Sequence, residues 1–182
     1  MPRTKPSEER RADLLDAAEE LVLRDGVDAL RIDDVTLGAG VAKGTFYLHF
    51  KTKDELIAAL AERYVQRFVA CQREASDGYA GVERIQRWLV AGIDTYTTDN
   101  RLHDVLFRHP AHTVYSGHNL AAGDLRDLLV ETVDLPDPDA TAILLYHALH
   151  GAADHVLHTP ADRDRIVAEL VRLCQLVTAR RW

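Results

Sequence analysis

The chain has 182 residues, a formal net charge of −7 and an apolar fraction of 47%. This length allows one large domain or a small domain plus a medium one, and the apolar fraction can supply a true core. No apolar run approaches the roughly 20 residues that cross a bilayer, and the N-terminus lacks a signal peptide's apolar segment. We therefore expect a cytoplasmic protein that does not associate with a membrane. In that reducing compartment, Cys71 and Cys174 are expected to be free thiols. The acidic balance argues against a general nucleic-acid-binding protein, which usually has a basic domain.

The N-terminal stretch predicts a flexible basic arm over residues 1–6, which contain two prolines, followed by a helix. Ser7 is a candidate N-cap, and the two acidic residues after it fall where the helix dipole favours anions. Apolar residues then repeat at helical spacing until Asp25 and Gly26, where we expect the helix to end.

The most informative stretch is residues 31–56, which predicts a short helix, a tight turn, a second short helix and the capped start of a long one. Gly40 stands where the chain must reverse, because glycine adopts a left-handed backbone without a Cβ penalty. Phe46 and Phe50 share the inner face of the second short helix, predicted over residues 42–50. Lys43 and its neighbours then point outward, and no acidic residue lies between Asp34 and Asp54. This arrangement is typical of a recognition helix that enters the major groove.

The remaining chain predicts further helices separated by short breaks, and no stretch has the alternation of a strand. Thr52 and Glu55 form a capping box that starts a helix running to about Ser76. Asp137 and Thr159 each precede a proline and are candidate starts of the last two helices. Further helices are expected over about 81–97, 101–109, 119–133, 138–158 and 160–180, with a loop over 111–117. We therefore expect an all-α fold of about nine helices, with a domain boundary between residues 54 and 55.

Several residues between positions 10 and 56 resemble the helix-turn-helix signature of TetR-family transcriptional regulators. The matching positions are Gly26, Val35, Ala39, Gly40, Val41, Gly44, Thr45, Tyr47, His49, Phe50, Lys53 and Leu56. The chain departs from the signature at Arg31, where the family usually has Ser or Thr, and at Thr36, where it usually has Ala. Because arginine has no side-chain oxygen, Arg31 cannot cap the first short helix as Ser or Thr would.

The resemblance implies a domain over residues 1–54 that binds double-stranded DNA at a palindromic operator. The outward position of Lys43 suits a guanine edge or a phosphate, while Ala42 and Thr45 suit a thymine methyl group. In similar proteins the residues matching Tyr47, His49 and Lys53 bond phosphates. The alternative for Tyr47 is packing in the core, and the alternative for His49 is a hydrogen bond within the domain. The predicted DNA-binding residues are Arg31, Ala42, Lys43, Gly44, Thr45, Tyr47, His49 and Lys53.

The C-terminal region, residues 55–182, is expected to bind a small organic effector and to form a homodimer. The resemblance implies a four-helix interface from the last two helices of each subunit, whereas the alternative is that these helices are buried inside one subunit. The aromatic and polar residues that fit an effector cavity are Trp88, Tyr96, His103, Phe107, His112, Tyr115, Tyr146 and His147.

The histidines allow a competing prediction, because His147 with His150 and His155 with His158 are spaced to share helix faces. Imidazoles in such pairs can bind transition metals, so a metal-responsive helical protein is the alternative. No complete metal motif, phosphate-binding glycine loop or nucleophile elbow is present, and we expect neither an enzyme nor a cofactor. A helical adaptor that binds only proteins would not explain why the predicted turn and recognition helix contain no acidic residue. The leading hypothesis is a dimeric repressor that an effector releases from its operator.

Overall fold

The structure, a computed structural model, describes residues 6–107 and 117–179 and, at positions 117–119, the backbone alone. Nine α-helices and one 3₁₀ turn account for all regular structure in those residues, which confirms the expected all-α fold. The α-helices are α1 (Ser7–Asp25), α2 (Ile32–Gly38), α3 (Lys43–His49), α4 (Lys53–Ser76), α5 (Gly81–Thr98), α6 (Arg101–Phe107), α7 (Gly117–Thr132), α8 (Pro138–His158) and α9 (Arg163–Thr178). No helix in the described residues is long and apolar enough to cross a membrane.

The chain forms two compact units. The first, the N-terminal unit, contains the described residues up to Tyr64 together with α6; the second, the C-terminal unit, contains residues 65–100 and the chain from α7 onward. Packing thus assigns the first part of α4 to the N-terminal unit. The predicted boundary at residues 54 and 55 describes a functional division, and it stays a prediction.

The N-terminal unit is built around one apolar core to which α1 to α4 all contribute. Leu14 and Val22 of α1, Val35 of α2 and Phe46 of α3 are completely buried, and Leu56 of α4 joins them. The capping box that starts α4 forms as predicted at Thr52, whose Oγ1 accepts from the Glu55 backbone N–H at 3.1 Å. The Glu55 carboxylate, however, accepts from the backbone N–H of Lys51 at 2.6 Å, one residue before the expected partner.

The C-terminal unit is organised around α8, which packs against α5, α7 and α9. Trp88 and Ile93 of α5, Leu129 of α7 and Leu149 of α8 supply large buried side chains. Gly92 lets α5 approach α8 closely, since a Cβ at this position would lie 2.5 Å from Leu149 Cδ1. A larger residue at position 92 would have to displace the Leu149 side chain and the Gln72 amide, whose Nε2 lies 2.6 Å from the same position.

The observed helix starts agree in part with those predicted from the sequence. Asp137 caps α8 as predicted, because its Oδ1 accepts from the Ala140 backbone N–H at 2.9 Å. The assignment of Ser7 as an N-cap was wrong: α1 already includes Ser7, and Pro6, which has no side-chain acceptor, precedes it. The last helix was also predicted to start too early, because Pro160–Asp162 forms a 3₁₀ turn before α9. Residues 1–5 of the predicted arm and residues 111–116 of the predicted loop lie outside the described residues, whereas Gly117, predicted to end that loop, starts α7.

Candidate nucleic-acid interface

The reversal between α2 and α3 depends on Gly40, which adopts a left-handed backbone with φ of 64° as predicted. The Gly40 N–H donates to the Leu37 carbonyl at 3.1 Å, and the Val41 N–H donates to the Thr36 carbonyl at 3.0 Å. These bonds satisfy the last carbonyls of α2 and fix the direction in which α3 starts.

The two departures from the signature are accommodated locally. The Thr36 side chain is buried, and its hydroxyl donates to the Asp33 carbonyl at 3.0 Å, so the added oxygen has a partner. Arg31 precedes α2 in an extended conformation and, as expected, makes no side-chain cap. Its side chain is exposed beside the start of α2.

Helix α3 has a buried face and an exposed one, as its sequence predicts. Phe46 is completely buried, and Phe50, just beyond the helix, is 2% exposed. The exposed face contains Lys43, Gly44 and Tyr47, of which Tyr47 is 52% exposed. The remaining predicted contacts lie around this face: Ala42 is exposed, whereas Thr45 and His49 are half-buried.

Lys43 is held by a partner that the sequence did not reveal. Its ammonium nitrogen lies 2.6 Å from Asp33 Oδ1 in α2, and both side chains are more than half exposed. The hydrogen bond to Asp33, reinforced by its charge, raises the pKa of Lys43. The lysine is therefore oriented by α2, while its charge is partly offset before any ligand binds.

Lys53 is also already engaged within the N-terminal unit. Its ammonium donates to the backbone carbonyls of Val27 at 3.1 Å and Asp28 at 3.4 Å. The side chain thereby ties the start of α4 to the segment between α1 and α2. Because an ammonium has three donors, one stays available for a phosphate, so the predicted contact is geometrically possible.

This arrangement is similar to that of a known protein family. The model of the family described as bacterial regulatory proteins, tetR family, matches residues 14–60, the segment from α1 to the first part of α4. The fold of the described chain agrees with solved members of that family. Residues 14–60 of the chain are therefore similar to bacterial regulatory proteins of the tetR family. The matched segment contains the whole of α2, the turn and α3.

Two curated relatives are similar to the N-terminal part of this chain. The HTH-type transcriptional activator FasR of Mycolicibacterium smegmatis is 40% identical over 70 residues, which cover 38% of this chain and 32% of FasR. The HTH-type transcriptional repressor KstR2 of Mycobacterium tuberculosis is 30% identical over 86 residues, covering 47% and 43%. The chain thus spans less than half the length of either relative.

Solved structures resemble this chain over nearly its whole length. A TetR-like transcriptional regulator from Rhodococcus sp. RHA1 has a TM-score of 0.64 and 25% identity, with 100% of both chains covered. RolR in complex with its ligand resorcinol has a TM-score of 0.67 and 19% identity, covering 98% of this chain and 97% of RolR. At 19% identity, the likeness to RolR establishes a shared fold alone.

The predicted effector residues do not form one group within either unit. His103 and Phe107 lie in the N-terminal unit, with ring centroids 4.9 Å apart, and Tyr64 lies about equally close to both. The C-terminal unit contains Trp88, Tyr96, Tyr146 and His147, while His112 and Tyr115 lie outside the described residues.

Within the C-terminal unit, His150 connects two of the predicted residues and was not itself included among them. Its ring centroid lies 4.4 Å from that of Tyr146 and 6.0 Å from that of Tyr96, in edge-to-face contacts. Both tyrosines are nearly buried, and burial raises the pKa of the Tyr146 hydroxyl. His147, by contrast, is exposed on the outer side of α8.

Trp88 belongs to the core of the C-terminal unit and also borders a cleft. Its indole N–H donates to Asp124 Oδ2 at 2.8 Å, and Arg73 forms an ion pair with the same carboxylate. The cleft beside them has a volume of about 320 Å³, and its lining includes Arg84 and Glu131. This lining is mostly charged, unlike the apolar cavity that the sequence predicts.

The described histidines take separate partners. His155 Nε2 lies 2.8 Å from Asp162, and His158 Nδ1 lies 2.8 Å from the Asp154 carbonyl, while His150 faces the tyrosines. No group of three or more histidine, cysteine, aspartate or glutamate side chains in residues 6–107 and 117–179 could hold a metal ion. The metal-responsive alternative therefore has no support in this part of the chain.

The last two helices expose several large apolar side chains. On α8, Leu144 is 70% exposed and Ile143 is 50% exposed; on α9, Leu176 is 64% exposed and Leu173 is 41% exposed. Gly151 is exposed on α8 as well, with no atom within 4 Å of the position that a Cβ would occupy. We call Ile143, Leu144, Leu173 and Leu176 the apolar C-terminal surface.

Sequence reasoning also missed two exposed leucines in the N-terminal unit. Leu48 of α3 is 77% exposed, and Leu37 of α2 is 81% exposed. The signal for Leu48 was present in its spacing, because it lies two residues from Phe46 and two from Phe50 and must face away from both. No comparable signal singled out Leu37.

Proposed function

We propose that this chain is a homodimeric, DNA-binding transcriptional regulator whose two α3 helices read the half-sites of a palindromic operator. The observation that carries the proposal is the exposed face of α3, supported on Phe46 and Phe50 and placed within the segment that matches the family. Lys43, Gly44 and Tyr47 give that face a cation, room for close approach and a phenol hydroxyl. These groups suit a groove lined by phosphates and base edges.

The proposed roles follow from exposure and chemistry. Lys43 and Tyr47 contact phosphates or base edges, and Gly44 allows the backbone to approach. Ala42 and Thr45 border the same face and supply methyl groups, and Thr45 also has a hydroxyl. Arg31, His49 and Lys53 complete the proposed contacts at the edges of the site.

The apolar C-terminal surface supports the dimer. Leucines that are 64% and 70% exposed on adjoining helices of one unit favour association with an apolar partner. A second copy of the same surface is such a partner, and a two-fold dimer is the usual way in which a helix-turn-helix protein reads two half-sites. We therefore place α8 and α9 at the dimer interface.

We further propose that the regulator is a repressor released by a small organic effector. KstR2 supports repression, whereas the name of FasR indicates that similar proteins can activate. RolR with resorcinol supports a fold that can hold a small aromatic molecule. In this proposal the effector binds one arrangement of the recognition helices more tightly than the other, and so lowers operator affinity.

The experiment that tests the proposed function selects duplexes from a random DNA library with the full-length protein. We expect enrichment of two inverted half-sites, with centres separated by about one helical turn or a multiple of it. A gel shift on the selected duplex, and on DNA flanking the protein's own gene, then compares the wild type with Tyr47→Ala. Failure to enrich any sequence, or unchanged binding by the Tyr47 and Lys43 alanine variants, would contradict the proposal.

A further inference from the structure

We propose that Leu48 is a specificity-determining residue that reads the C5-methyl group of a thymine in each half-site. This inference rests on the proposed function and assigns a role to a side chain that the sequence analysis left out. Leu48 is 77% exposed on α3, in the middle of a face whose other side chains are small or polar.

The position of Leu48 follows from the geometry of α3. At 3.6 residues per turn, Leu48 and Gly44 lie about 160° to 200° around the helix axis from Phe46. Phe46 is completely buried, so these two residues point most directly away from the core. Lys43 and Tyr47 lie on one flank of that line, and Thr45 lies on the other.

The surroundings give Leu48 room to contact a base. Gly44 lies one turn before Leu48 on the same side, and no atom lies within 4 Å of the position that a Cβ there would occupy. The ammonium of Lys43 is drawn toward Asp33 at 2.6 Å. Leu48 is therefore the largest side chain on the outermost line of α3, with open space beside it.

The chemistry of the major groove selects the partner. Every base edge there presents hydrogen-bond donors or acceptors, and thymine alone adds a methyl group. A leucine side chain can neither donate nor accept a hydrogen bond, so its favourable contact is with that methyl group. Opposite a cytosine amino group, leucine would instead leave a polar group without a partner.

The test uses the duplex selected by the full-length protein, with each thymine replaced in turn by deoxyuridine in both half-sites. Deoxyuridine keeps the base pair and removes only the methyl group. Besides any position read by Ala42 or Thr45, we expect one symmetric position at which wild-type binding weakens about fourfold per half-site, the effect of exposing one buried methyl group. At that position Leu48→Ala should bind the two duplexes equally, and Leu48→Met should restore the preference for thymine.

Leu37→Ala is the matched control, because it removes the same side chain from a more exposed position, on α2. It should keep the full dependence on the thymine methyl group. The inference is overturned if the wild type binds thymine and deoxyuridine duplexes equally, or if Leu48→Ala keeps the wild-type dependence. A wild-type protein that enriches no duplex would instead overturn the proposed function. Circular dichroism of each variant verifies that the helices remain folded.

Discussion

The exposed face of α3 and the apolar C-terminal surface are both supported by well-buried cores, but they present different chemistry to solvent. On α3, one leucine stands among a lysine, a glycine and a tyrosine. On α8 and α9, four large apolar side chains are between 41% and 70% exposed. A polar face with open space suits a hydrated, charged ligand, whereas a larger apolar surface suits another apolar surface. The difference favours the proposal that one chain has two kinds of partner.

The largest expected effect comes from placing a charge on the apolar C-terminal surface. Leu144→Asp should yield monomers, because dimerisation would bury the carboxylate in an apolar contact. Loss of paired binding should lower operator affinity by roughly 100-fold or more. Sedimentation velocity and fluorescence anisotropy measure the two effects.

Val130→Asp is the control for that substitution, since Val130 is 54% exposed on α7 of the same unit. It should leave both the dimer and the operator affinity unchanged. If the Leu144→Asp protein stays dimeric, the proposal that α8 forms part of the dimer interface is wrong.

Substitutions on α2 and α3 should have intermediate effects on DNA binding and none on the oligomeric state. Tyr47→Ala should weaken operator binding by about 1–3 kcal/mol, because the side chain is exposed on the proposed contact face.

Asp33→Asn should have the opposite effect on operator affinity. It should strengthen binding up to about fivefold, because it releases Lys43 and removes a negative charge near phosphates. Equal affinities for Asp33→Asn and the wild type would show that the ion pair does not limit binding.

Substitution of Lys53 distinguishes a role in the stability of the N-terminal unit from a role in contact with DNA. Lys53→Met should lower the free energy of unfolding by about 1–2 kcal/mol, because two backbone carbonyls lose a charged donor. Chemical denaturation measures this, with Lys51→Met as a control at an exposed neighbouring position. If Lys53→Met is as stable as the wild type but has a weaker salt dependence of binding, contact with phosphate is its main role.

The smallest expected effect concerns pH and the C-terminal unit. The hydrogen bond from His155, followed by that from Arg165, holds the pKa of Asp162 below its ordinary value. A carboxylate with a lowered pKa stabilises the fold above its unfolded pKa, and this contribution is lost as pH falls through the folded value. Asp162→Asn should therefore lower the melting temperature slightly near pH 6, and this difference should shrink as pH falls below the ordinary aspartate pKa of roughly 4. A difference that persists in acid would contradict this linkage.

Local patterns predicted the parts of the fold that depend on neighbouring residues in sequence. The spacing of Phe46 and Phe50 identified the buried face of α3, and Gly40 identified the turn, because both follow from backbone geometry. The N-cap at Asp137 was also predicted correctly from the sequence. Such features need no knowledge of which helices pack together.

Features that join separate helices could not be read in the same way. The ion pair between Asp33 and Lys43 spans the turn, and the Lys53 bonds to Val27 and Asp28 join residues more than twenty positions apart. His150 meets Tyr96 only because α5 packs against α8. Leu48 has no charge or polar group that would mark it as a DNA contact, and only its position on α3 and its exposure single it out.

The central claim, that α3 of each subunit lies in the major groove, is tested most directly by DNA cleavage from a tethered iron chelate. Ala42→Cys places the reagent at the exposed start of α3, and Cys71→Ser removes the exposed natural thiol. The buried Cys174, whose pKa burial raises to about 11, should remain unmodified. Two clusters of strand cleavage related by the two-fold axis of the selected operator are the expected result. Dispersed cleavage, or none, on a duplex that the labelled protein still binds would contradict the claim.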